Sequence, residues 1–89
     1  MASFAIVEDG LVIEVIKLDD SVITGPDGKE SESLGQAFLA DQYGTDPARY
    51  VQTSYTNAPV EGKSRGKYAG IGDTWTGTVF ESPAYAPTD

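Results

Sequence analysis

The chain has no cysteine and no histidine among its 89 residues. Without cysteine there is no disulfide to staple a small fold, and no thiolate to act as nucleophile or soft metal ligand. Without histidine the commonest general base, the commonest transition-metal ligand and the side chain that titrates near neutrality are all missing. Positive charge is scarce too: six Lys and Arg stand against fourteen Asp and Glu, a formal charge of −8. That balance argues against nucleic acid and anionic membranes as partners. No apolar run approaches the ~18 residues that a membrane-spanning helix needs. The apolar stretch from Ser3 to Leu18 is interrupted by Glu8, Asp9 and Glu14 and has no basic segment ahead of it, so no signal peptide is expected.

What is present fits one small domain. A chain of this length buries roughly 60% of its unfolded surface, which leaves a thin stability margin and makes self-association a reasonable way to add burial. The charge is uneven. Residues 1–48 hold ten acids against Lys17 and Lys29, whereas residues 49–72 hold Arg49, Lys63, Arg65 and Lys67 against Glu61. This basic island reads either as a solvated loop or as a hold for an acidic partner.

Asp9-Gly10 tolerates the positive φ angles of a tight hairpin turn, with Phe4 to Val7 before it and Leu11 to Leu18 after it as strands. A two-residue turn pairs Ile6 with Ile13 and Phe4 with Val15. Both faces of Leu11 to Leu18 are largely apolar, so this strand is expected to be central. Ser21 to Thr24 reads as a short strand, and Gly25-Pro26-Asp27-Gly28 as a turn. Asp19, Asp20, Asp27 and Glu30 lack the spacing of a calcium loop and read as a solvated acidic edge.

Ser33 to Tyr43 is the one good helix. Ser33 with Gln36 gives a capping-box pattern, Ser31 is a competing cap, Glu30 and Glu32 place negative charge at its start, and Gly44 suits its end. Its apolar face is Leu34, Ala37 and Phe38, extended by Leu39 and Tyr43. The predicted fold is α+β: a small antiparallel sheet of about four to five strands with one main helix packed on it. Leu34, Phe38, Ile13, Ile16, Val51 and Ile71 are the expected core. Residues 1–81 form the domain, and 82–89 an extended C-terminal tail containing Pro and Tyr.

The densest stretch runs from Tyr50 to Thr76. It holds three of the five tyrosines and the only tryptophan. Tyr50 to Tyr55 alternates as a strand does. Thr56 to Gly66 reads as a loop, with Lys67 to Ile71 and Asp73 to Thr76 as further strands and Thr78 to Glu81 as the last. The first two of these, VQTSY and YAGIG, are expected to pair antiparallel, with Tyr55 beside Tyr68. Gly70 and Gly72 suggest backbone passing under a bulky ring, Trp75 or Tyr50. On that view Gly70 belongs to the frame, and Gly70→Val should unfold the domain. Tyr55, Tyr68 and Trp75 read as core or half-core aromatics. The sharper alternative is an exposed aromatic cluster beside Arg65 and Lys67, suited to sugar, base or protein contact.

Motifs that would carry chemistry fail on inspection. Gly62-Lys63-Ser64 has Asn57 where a phosphate-binding loop needs glycine, and Gly70-Ile71-Gly72 has Trp75 where a dinucleotide fingerprint needs its third glycine. No catalytic residue, metal or cofactor is expected.

Taken in order, Phe4-Ala5, Asp9-Gly10, Val15-Ile16, Glu32-Ser33-Leu34-Gly35 with Phe38, Val51-Gln52-Thr53-Ser54-Tyr55, Arg65, and Tyr68-Ala69-Gly70-Ile71-Gly72 form a distinctive series. The chain thereby resembles a family of small proteins, and modules of larger ones, from marine bacteriophages of cyanobacteria and other ocean bacteria. It departs from that family in a longer loop from Thr56 to Ser64, in Asp73 where an aromatic residue is usual, and in a shorter, less aromatic final segment. Members of the family are mostly called hypothetical or structural virion proteins. The resemblance implies a phage setting, in the virion or the host cytoplasm, and non-enzymatic work, but no mechanism. Together with the missing His and Cys it leads to the first expectation, a structural or accessory module that works through a protein partner, or through self-association as a homo-oligomer given the thin core. Two other readings stay open. One is a glycan- or nucleotide-binding module. The other is an acidic host-takeover protein. Candidate binding residues are Lys63, Arg65, Tyr68, Trp75 and Tyr85.

Overall fold

The structure is a computed structural model that describes residues 2–54 and 59–82. Its strands are β1 (Ala2–Glu8), β2 (Leu11–Leu18), β3 (Tyr50–Thr53), β4 (Thr74–Trp75) and β5 (Phe80–Glu81). All their pairings are antiparallel, in the order β3-β1-β2-β4-β5. A short helix α1 (Asp20–Ile23) and the main helix α2 (Glu32–Tyr43) complete the α+β fold. Tyr55 and the tail residues from Pro83 onward lie outside the described residues, and with them the proposed pairing of Tyr55 with Tyr68.

The β1–β2 hairpin turns on Asp9 and Gly10, at φ 53° and 78°. Glu8 faces Leu11 and Val7 faces Val12, as a two-residue turn requires, but Ile6 then faces Glu14 and Phe4 faces Ile16. Ile13 is therefore the extra residue of a bulge. A bulge changes which face the following residues address. Ile13, expected in the core, is 46% exposed, while Val12 and Val15 serve the same side of the sheet.

That sheet has two apolar faces. On one, Ala2, Phe4, Leu18, Ile23, Leu39 and Tyr50 pack beneath the helices. On the other, Ala5, Val7, Val12, Val51, Ala69 and Phe80 pack beneath the chain that returns through residues 59–82. Val51 is core as expected, and Ile16 is half-buried.

Residues Ser21 to Thr24 are helical rather than extended. Asp19 caps them, its Oδ1 accepting the Ser21 N–H at 3.0 Å, and the single turn drives Ile23 wholly into the core. Local capping here outweighs the β-preference of Val22 and Ile23.

Helix α2 starts after Ser31 and ends at Gly44, which is left-handed at φ 70° and bonds Ala40 O at 2.7 Å. The docked face is not the expected one. Glu32, Gly35, Gln36, Leu39 and Ala40 share the side turned to the sheet, while Leu34 and Phe38 are each 38% exposed. Two contacts set this rotation. The Phe4 ring lies against Gly35, where an added Cβ would stand 2.2 Å from its Cζ. The side chains of Glu32 and Gln36 bond the outer backbone of β3: Glu32 Oε2 accepts the Gln52 N–H at 2.7 Å, and Gln36 Nε2 donates to Tyr50 O at 2.7 Å.

The YAGIG segment is not a strand. Strand β3 pairs instead with β1, Ala5 facing Val51. Lys67 to Gly70 meets β3 through a side chain, with Thr53 Oγ1 accepting the Ala69 N–H at 2.9 Å. Ile71, expected in the core, is 74% exposed on the following turn. Among the described residues no ring crosses Gly70 or Gly72. The nearest described atom to a Cβ at Gly70 would be Asp73 Oδ2 at 3.5 Å, an ordinary contact, and no described atom lies near one at Gly72, whose φ of +94° is what favours glycine there. The close approach under a ring belongs to Gly35, and an added Cβ at Gly70 meets no such ring among the described residues.

Leu39→Ala should cost ~2–5 kcal/mol in chemical denaturation, and more than Leu34→Ala or Phe38→Ala. Gly35→Ala should cost about 1–3 kcal/mol by overpacking Phe4. A Gly35→Ala protein as stable as the parent would mean that α2 does not lie on the Phe4 ring.

The Asp19 carboxyl is held below its ordinary range, chiefly by the Ser21 backbone N–H and then by the Ser21 side chain. A depressed carboxyl pKa stabilises the fold above the unfolded-state value, and that contribution is lost as pH falls through the folded value. An NMR titration should place the Asp19 midpoint below that of an unfolded aspartate. A midpoint at or above that value would show the α1 cap to be absent in solution.

Candidate functional site

The expected binding residues do not form one exposed patch. After the buried Val60, the backbone turns on Glu61 and Gly62, at φ 51° and 81°. Val60 and Lys63 exchange N–H···O bonds of 2.9 and 3.0 Å across that turn, which leaves Lys63 in solvent. Arg65 runs the other way, inward. Its Nη2 lies 2.7 Å from Glu32 Oε1, and the two side chains are only 12% and 18% exposed. The guanidinium carbon stands 5.2 Å from the Trp75 ring centre, within cation–π range. Its Nε is buried and makes no hydrogen bond among the described residues.

Trp75 is half-buried, with its ring 4.7 Å from that of Phe80. The β4–β5 turn places it there: Thr76 Oγ1 accepts the Thr78 and Val79 N–H groups at 3.3 and 3.2 Å. Tyr68 is also half-buried, and its hydroxyl donates to Ser3 Oγ at 3.3 Å. Tyr85 lies outside the described residues. Thus Arg65 and Trp75 are brought together, Tyr68 sits under the sheet beside Ser3, and Lys63 stands apart on its turn.

The basic island is largely neutralised from within. Arg49 pairs with Glu8 at 3.0 Å, Arg65 with Glu32 at 2.7 Å, and Lys67 with the buried Asp73 at 2.8 Å. Asp73 Oδ2 also accepts the Gly70 N–H at 2.7 Å, and Lys67 Nζ donates to Ser82 Oγ at 2.9 Å. These charges organise the chain's return across the sheet. Their sequence positions gave no sign of it, because the partners lie as many as 41 residues away.

The apolar surface that sequence reasoning placed in the core is the other candidate. On the side of α2 towards β2, a groove of about 480 Å³ is lined by Ile16, Leu18, Phe38, Leu39, Gln42 and Tyr43, with Lys17 at its border. Tyr43 is 62% exposed at the helix end. A second, more open hollow of about 550 Å³ lies at the start of α2 between Pro26, Lys29, Ser33, Leu34 and Glu61. The period-four spacing of Leu34 and Phe38 marked these residues as apolar, but could not tell a docked face from an outward one.

Among the described residues no group of three or more acids could hold a metal ion, and no helix is long and apolar enough to cross a membrane. No protein-family model, no curated protein and no solved structure matches the chain.

Arg65→Ala should uncover one side of the indole. Acrylamide quenching of Trp75 fluorescence should rise relative to the parent. Unchanged quenching in a folded variant would mean that the guanidinium does not cover the ring.

Proposed function

We propose that this chain is a non-enzymatic phage structural or accessory module that works through protein–protein contact. The observation that carries the reading is the outward side of α2, where two apolar side chains remain partly in solvent: Phe38 at the groove over Ile16 and Leu18, and Leu34 at the hollow by the start of the helix. Apolar side chains gathered at a groove gain free energy when a partner removes them from water. The resemblance of the VQTSY, Arg65 and YAGIG series to marine phage proteins supports the phage setting.

The ligand-binding alternative draws less support. It needs an accessible guanidinium and an open aromatic face, whereas Arg65 is engaged by Glu32 and lies over Trp75. The acidic host-takeover alternative keeps one favourable observation. With Arg49, Arg65 and Lys67 held in ion pairs, Glu14, Asp27, Glu30, Asp41, Asp46 and Glu81 remain exposed.

Mass spectrometry of purified phage particles should find the chain in stoichiometric amount, and the variant Leu34→Glu/Phe38→Glu should fold by circular dichroism yet fail to be incorporated. Absence from particles at good coverage removes the structural version. Capture of a host protein that is lost in high salt but indifferent to the double variant would favour the acidic reading instead.

A further inference from the structure

We propose that residues 59–70 form a hinged strap that opens as a unit while α2 and strands β1, β2 and β3 stay folded, and that Glu32 is its latch. The strap is attached mainly through side chains. Beyond its own turn, its backbone bonds among the described residues are few: Arg65 O accepts the Phe80 N–H at 2.8 Å, and Gly70 O accepts the Asp73 N–H at 3.0 Å. The remaining described attachments use Glu61, Arg65, Lys67, Tyr68, Thr53 and Asp73 side chains. Its wholly buried apolar anchors are only Val60 and Ala69. A segment held by little apolar area and by single side-chain bonds belongs to the low-stability end of a fold. Gly62 and Gly66, at φ 81° and 85°, supply the bends at which it turns.

Three links converge on Glu32. Its backbone N–H donates to Glu61 Oε2 at 2.5 Å, its Oε1 holds Arg65 at 2.7 Å, and its Oε2 holds the Gln52 N–H at 2.7 Å. One residue thus fastens both ends of the 61–65 turn to the helix and ties the helix to β3. The Arg65–Glu32 pair is shielded from solvent, so salt screens it little. Loss of the carboxylate charge leaves a buried guanidinium whose Nε already has no hydrogen bond among the described residues, and an uncompensated buried charge favours the open form. Opening withdraws Ala69 from its cluster and uncovers Val51 and Ala5 beneath it.

Native-state hydrogen exchange on the whole chain tests this, comparing the parent with Glu32→Gln, Arg65→Met and Leu39→Ala. Arg65→Met releases the strap while leaving the Glu32 bond to Gln52 in place, and so keeps the test alive if Glu32→Gln fails to fold. In the parent, the Ala69 and Gly70 amides should exchange through an opening that depends weakly on denaturant, ahead of Leu39 and Val51. Arg65→Met and Glu32→Gln should speed Ala69 and Gly70 about tenfold or more with a smaller effect on Leu39. Leu39→Ala should instead speed the amides that exchange by global unfolding. If Ala69 and Gly70 exchange at the same rate and with the same denaturant dependence as Leu39 and Val51 in the parent, or if the Arg65 and Glu32 variants speed all amides alike, the strap is not a separate unit and the inference is overturned.

Discussion

The carboxylate of Glu32 is the joint on which the arrangement rests. It is largely shielded, yet it meets a guanidinium on one oxygen and a backbone N–H on the other. Hydrogen bonds to a charged group are worth about 1.5–3 kcal/mol each, against about 1 for neutral pairs. In a domain whose whole margin is roughly 5–15 kcal/mol, two such bonds matter. They also couple elements that the chain order keeps apart: the start of α2, the outer side of β3, and the returning segment around Arg65.

The rotation of α2 follows from the same joint. A helix with Leu34 and Phe38 available would bury them if burial alone decided. Here the contact face contains two polar residues and a glycine. Gly35 admits the Phe4 ring, and Gln36 satisfies Tyr50 O. Tyr50 is itself anchored by a hydroxyl contact with Thr45. Glu32 Oε1, Glu32 Oε2 and Gln36 Nε2 each have a defined partner, so the docking is specific in rotation as well as in place. This choice leaves the apolar Leu34 and Phe38 turned partly into solvent.

How much of this was legible depended on whether the determinant was local. Asp9-Gly10 announced the hairpin, and Gly44 the end of α2, because φ angles near a turn or a cap constrain the residue that sits there. The register of the hairpin beyond Val7 was hidden, since nothing in Leu11 to Leu18 singles out Ile13 as a bulge. Lys67 to Ile71 has the composition of a strand, but Thr53 Oγ1 replaces a backbone partner, and a side-chain substitute for a ladder leaves no periodic trace. At the candidate site, Arg65 and Trp75 stood out as residues of interest. That Arg65 is spent on Glu32 was invisible, because the pairing spans 33 residues and is made by folding itself.

The way Glu32 and Gln36 meet β3 has a consequence for assembly. A strand at the border of a sheet normally offers unpaired N–H and C=O groups that can recruit a strand from another molecule. On β3 the Gln52 N–H and the Tyr50 carbonyl are already taken by the two helix side chains, one acting as acceptor and the other as donor, much as a neighbouring backbone would. The helix therefore serves as a substitute strand along that border. A second copy of this chain would find those two groups of β3 already bonded, which disfavours strand-to-strand pairing along that border.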